Sequence, residues 1–159
     1  MRLYLPATIN DLRLINSGEL VLTSTPAHGA TRKFIGEYEA EGITDMEEVE
    51  YGAFLNAVDD SLMLIANDPS VAWRRLVISV DVPDAAVQPA TSQVQELASS
   101  AVVVSAETSE VKVACFHIDE VEAAQDIQAV FEGNEDAIVA LSDRDLLWYD
   151  TSEIADVLS

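Results

Sequence analysis

The sequence predicts an α+β fold. Residues 1–159 read as a single-domain sandwich, with helices packed on a mixed or antiparallel sheet of about four to five strands. The arrangement expected is ferredoxin-like (split βαβ), with an enlarged helical N-terminal crossover. Three observations point there. Strand-like and helix-like patterns alternate along the chain. The stretch Val111–Phe131 passes from a strand apolar on both faces straight into an amphipathic helix. And 49% of the residues are apolar, enough to build a core despite a formal net charge of −21.

Arg2 to Leu5 reads as a first strand, ended by Pro6. Thr8 caps a helix over Ile9 to Asn16, with Asp11 at the capping-box position and Gly18 at its stop. Glu19 to Thr23 is compatible with a strand, whereas Ser24-Thr25-Pro26-Ala27-His28-Gly29 has loop composition. Thr31 caps a helix carrying Phe34, Ile35 and Tyr38, which Gly42 ends. Thr44 and Glu47 form a second capping box for the longest helix. Its apolar stripe is expected at Tyr51, Phe54, Val58, Leu62 and Ile65, and Asn67-Asp68-Pro69 stops it.

Arg75 to Val82 alternates as a strand with Leu76, Ile78, Val80 and Val82 buried and Val77, Ser79 and Asp81 facing out. Pro83 to Ser92 is a loop by composition, and Gln93 to Ser99 matches no pattern. Ala101 to Ser105 is a β-branched strand. Val111 to Ile118 is expected to be central, with Val111, Val113, Cys115 and His117 on one face. Asp119 and Glu122 then supply a capping box for the helix that Gly133-Asn134 ends. Glu135 to Leu141 fits a short helix or a strand. Leu146 to Tyr149 is a strand, and Asp150 with Glu153 caps a last helix bearing Ile154, Val157 and Leu158.

Charge bounds the function more tightly than any motif. Eight Lys and Arg face 29 Asp and Glu, so phosphate backbones and anionic membrane surfaces are repelled and direct binding to either is not expected. The acids cluster in two runs, Glu37–Asp60 and Glu107–Asp136, with nine carboxylates in each. No apolar run approaches the roughly 20 residues of a membrane span, and the opening residues lack the apolar region of a signal peptide. The single Cys115 fits a reducing compartment, and a cytoplasmic location is expected.

Gly-rich phosphate loops, G-x-S-x-G, H-E-x-x-H and C-x-x-C do not occur. Cys115, His117 and Asp119 alternate on one strand face and are metal-ligand types. Burial of the thiol and the capping role of Asp119 favour a purely structural part for them, so no metal or cofactor is expected. Trp148 and Tyr149 face opposite ways on a strand, so at most one lines a given pocket.

Six segments carry a resemblance. They are the opening MRLYLPAT, AHGAT with His28 and Thr31, the Glu50-Tyr51 pair, RRLVISVDVPDAAV, FHID at Phe116 to Asp119, and LLWYDTSEIADVL. In these the chain resembles a family of small acidic uncharacterised actinobacterial proteins, a domain of unknown function. It differs at Gly29 or Ala30, where a larger apolar residue is usual, and at Ala155, where proline is usual. The resemblance implies a cytoplasmic bacterial protein and assigns no catalytic residue.

Two functions follow as expectations. The first is a non-enzymatic acidic protein that contacts a basic protein partner, in its extreme form as a nucleic-acid mimic. The second is a small-molecule-binding protein or an enzyme of unknown reaction, with a polar site drawn from His28, Thr31, Tyr51, His117 and Trp148. Convergence of the two histidines on one pocket separates them.

Overall fold

The computed structural model describes residues 1–159. In chain order the elements are β1 (Arg2–Ala7), α1 (Ile9–Ser17), β2 (Leu22–Gly29), α2 (Arg32–Ala40), α3 (Met46–Asn67), β3 (Leu76–Asp81), β4 (Val87–Pro89), β5 (Ala101–Ala106), β6 (Lys112–Ile118), α4 (Ala123–Phe131), α5 (Glu135–Ser142), β7 (Leu147–Tyr149) and α6 (Ile154–Leu158). One open sheet holds all seven strands in the order β4-β5-β2-β1-β3-β6-β7, and every neighbouring pair is antiparallel.

The α+β class is as expected, but the sheet is larger than the four to five strands anticipated. A split βαβ unit sets two parallel strands on either side of a third, and β2 and β3, joined through α2 and α3, flank β1 in this way. The two additional strands are β2 and β4. The β1–β2 ladder covers only Leu3–Gly29 and Tyr4–His28, so the chain around Pro26 is laddered on one side alone, against β5. There a proline is tolerated inside a strand, which is why loop-like composition misleads from Ser24 to Gly29. Strand β4 is three residues long, ends in Pro89 and occupies the sheet edge.

Helices cover both faces of the sheet. On one, Leu3, Leu5, Leu76, Ile78, Val80, Val102, Val104, Phe116 and Ile118 are buried together with Ile9 and Leu12 of α1 and Ile154 of α6. On the other, Tyr4 and Val77 meet Phe34 of α2 and Val49, Ala53, Ala57 and Val58 of α3. Val77 and Ser79, expected to face solvent, are therefore sealed beneath a helix. Ile65, Val71, Ile127 and Leu141 form a third cluster where the end of α3 meets α4 and α5.

Helix α3 is rotated from its expected orientation. Its buried row is Val49, Ala53, Ala57 and Ser61 with Val58 and Ile65, while Tyr51 and Leu55 are exposed. Small side chains at a spacing of four let the helix lie close to the sheet, and the larger ones flank the contact. Asp45, not Thr44, caps it by accepting from the Glu47 N–H at 3.0 Å. Ser61 is fully buried. Its hydroxyl donates to the Ala7 carbonyl at 2.7 Å and accepts from the Leu76 N–H at 2.9 Å, across the last rung of the β1–β3 ladder.

Strand β6 lies second from the edge. It is laddered along β3, but β7 covers only Phe116–Ile118. A bulge at Ala114 breaks the expected alternation: Val113 shares a face with Phe116 and Ile118, and Cys115 and His117 turn toward α3. Asp119 does not cap α4, which starts at Ala123. It is fully buried and accepts from Arg75 Nε at 2.7 Å, Arg75 Nη2 at 2.8 Å and the Arg75 backbone N–H at 3.0 Å. No helix is long and apolar enough to cross a membrane.

Candidate functional site

The rotation of α3 leaves an aromatic row beside the sheet instead of under it. Tyr51 and Phe54 are one helical turn apart, with ring centroids 5.9 Å apart and planes inclined by 19°. Phe54 also meets Tyr4 of β1 edge-on at 6.0 Å and His117 of β6 at 4.7 Å. Glu47 and Glu50, four residues before Tyr51 and Phe54 respectively, and Asp145 and Leu146 from the α5–β7 connection complete a cleft of about 430 Å³. It adjoins a second recess of about 310 Å³ that shares Tyr51, Phe54, Asp145 and Leu146 but has Arg75 and Arg144 in its wall.

The cleft is acidic and aromatic, and it has no group poised for nucleophilic chemistry. Burial and the Glu50 carboxylate push the Tyr4 phenol up to about 12, and its hydroxyl donates to Glu50 Oε2 at 3.4 Å. Burial lowers the His117 pKa below its ordinary 6.5, and its Nδ1 is buried without a hydrogen-bond partner in the protein. The other titratable groups lining the cleft are Glu47, Glu50 and Tyr51 of α3, Tyr4 of β1 and Asp145.

A histidine whose pKa is lowered by folding costs stability when protonated. The fold is therefore expected to lose stability as pH falls below 6.5, because the unfolded chain takes up its proton first, and the loss ends below the folded-state value. His117→Phe keeps the ring contact with Phe54 and removes this slope. Denaturant titrations of both proteins between pH 7.5 and about 5 check it; parallel profiles would exclude His117 as the source.

The second polar centre lies three strand spacings away, about 14 Å across the sheet. His28, expected in a turn, is in β2 and 4% exposed. One hydrogen-bond chain satisfies every group there: Asn56 Nδ2 donates to Ser100 Oγ at 2.9 Å, Ser100 Oγ to His28 Nδ1 at 2.8 Å, and His28 Nε2 to Asp60 Oδ2 at 2.6 Å. The series is Ser–His–Asp, but burial is reversed from what nucleophilic catalysis requires: Ser100 is fully buried and Asp60 is half exposed. Thr31 belongs to this centre. Its hydroxyl accepts from the Phe34 N–H at 3.1 Å, capping α2, and donates to the Ser99 carbonyl at 2.7 Å. The whole centre fastens the segment before β5 to α2, α3 and β2.

The five residues expected to share a site thus divide. His28 and Thr31 form the fastening, Tyr51 and His117 line the cleft, and Trp148 stands opposite His117 on β7, 59% exposed and outside the cleft. Tyr4, Glu47, Glu50, Phe54 and Asp145 were not expected in a site. The signal for three of these, Glu47, Glu50 and Phe54, lay in an acid pair and an aromatic pair at matching spacing, Glu47/Glu50 and Tyr51/Phe54. No group of three or more His, Cys, Asp or Glu side chains is placed to hold a metal ion. Cys115 and His117 share a face, but Asp119 is committed to Arg75.

No curated protein and no solved structure gives a significant match to this chain. The model of a family of unknown function, DUF6912, matches residues 1–158, nearly the full length, and the chain belongs to that family.

Proposed function

We propose that this is a non-enzymatic binding protein that acts through contact between its acidic α2–α3 face and a basic partner protein. One observation carries the reading. Glu37, Glu39, Glu41, Asp45, Glu47 and Glu48 are all exposed, and none forms an ion pair within the chain. Arg2, Arg75 and Arg144 are turned instead toward Asp81, Asp119, Glu120 and Asp126. Arg32 and Lys33, exposed at the start of α2, are two cations against these six carboxylates, so the field of the first acidic run stays negative and available to a cationic surface. The separation of His28 from His117 weighs against the enzyme alternative, whose site needed both.

An octa-arginine peptide serves as the probe. The triple variant Glu37→Lys, Glu41→Lys, Glu48→Lys should weaken its binding by on the order of tenfold more than the charge-matched variant Glu122→Lys, Glu132→Lys, Glu135→Lys. Affinity should also fall steeply with salt between 50 and 200 mM, on the scale of a Debye length of about 10 Å. Equal losses in the two variants would mean net charge alone is felt, and the α2–α3 face would have no special part.

A further inference from the structure

We propose that the cleft between α3 and the α5–β7 connection is a cage for an arginine side chain of the basic partner, its guanidinium lying against Tyr51 and Phe54. This rests on the preceding reading and names the group that the acidic face would select.

Four features of the cleft converge on a planar cation. Two rings one helical turn apart, inclined by only 19°, present nearly parallel aromatic faces, and a guanidinium is attracted to such faces. Tyr51 is more than half exposed, so its ring is accessible without rearrangement. Glu47, Glu50 and Asp145 are acceptors at the same opening, and none is paired with an Arg or Lys of this chain. A planar fork of N–H donors matches carboxylates better than a compact ammonium does, which favours arginine over lysine.

The adjoining recess fixes which end of the groove is used. Arg75 and Arg144 stand in its wall with their charges already met by Asp119, Glu120 and Asp126, whereas the end bounded by Tyr4, Glu50 and His117 has carboxylates without an ion-pair partner and no Arg or Lys. His117, kept neutral by burial, adds no competing charge there.

The test compares octa-arginine with octa-lysine on the full chain at low salt, for wild type, Tyr51→Ala and the Glu37→Lys, Glu41→Lys, Glu48→Lys variant. Wild type should favour the arginine peptide by about tenfold. Tyr51→Ala should remove that preference to within about twofold while leaving the lysine peptide's affinity nearly unchanged. The charge variant should weaken both peptides and keep the preference. The arginine δ-methylene protons should shift upfield on binding to wild type and not to Tyr51→Ala. Equal affinity of wild type for the two peptides, or a preference that survives Tyr51→Ala, overturns the cage and leaves the acidic face standing. Failure of both peptides to bind at low salt overturns the two together.

Discussion

Asp119→Asn lowers the stability of the fold by about 3–5 kcal/mol, the loss found when one member of a buried ion pair is removed. Asp119 is fully buried and Arg75 is 5% exposed, so the guanidinium has little access to water when its partner is neutralised. Both carboxylate oxygens are engaged, one by Nε and the Arg75 backbone N–H, the other by Nη2. Arg74 Nε also donates to the Asp119 carbonyl at 2.8 Å, and Arg75 Nη2 to the Arg144 carbonyl at 3.2 Å. The pair thus holds the start of β3, the end of β6 and the turn after α5 together. Asn preserves shape and removes charge, which makes the loss a reading of electrostatics. Urea unfolding should show a lower midpoint at unchanged slope. The double variant Arg75→Met, Asp119→Leu should lose less than Asp119→Asn, because no unpaired charge is left behind. A loss below about 1 kcal/mol for Asp119→Asn would mean the site is hydrated and the pair contributes little.

Ser61→Ala costs about 2–4 kcal/mol by the same logic applied to neutral groups. Ala7 and Leu76 are register partners, and the Ser61 hydroxyl serves the carbonyl of one and the N–H of the other. Alanine removes both bonds in a site without solvent access and leaves a buried donor and a buried acceptor unsatisfied. The effect should concentrate at one place. Hydrogen exchange of the Leu76 amide should accelerate well beyond that of the Ile78 amide in the middle of the same strand. Uniform acceleration along β3 would show only global destabilisation.

Local chemistry was legible where neighbours in sequence decide it. Thr8 with Asp11, Gly18 in the left-handed region at φ 77°, Thr31 over Phe34, and Asp150 with Glu153 all do what their spacing implies. Strands β1, β3, β5, β6 and β7 were likewise readable from β-branched and apolar runs. What failed depends on partners distant in sequence. Asp119 has the spacing of a cap, yet an arginine 44 residues earlier claims it. The bulge at Ala114 follows from register against β3 and leaves no mark in composition.

The cleft was half legible for a related reason. Periodicity along α3 gives a stripe, but two stripes rotated by less than a turn were available, one of large residues and one of small. Choosing the large residues as core placed Tyr51 and Phe54 inside. The close approach of helix and sheet at Ala53 and Ala57 makes the small row the buried one. Tyr4, on β1, enters only through the tertiary fold.

The outermost strands, β4 and β7, are three residues each, and the part of β6 that β7 leaves uncovered carries Lys112 and the bulge. Such borders are poor templates for another chain to zip onto through its main chain. On the proposed binding role, a visitor would meet the helical shoulder instead of the rim, and would be read by what its side chains are, not by how straight its backbone lies.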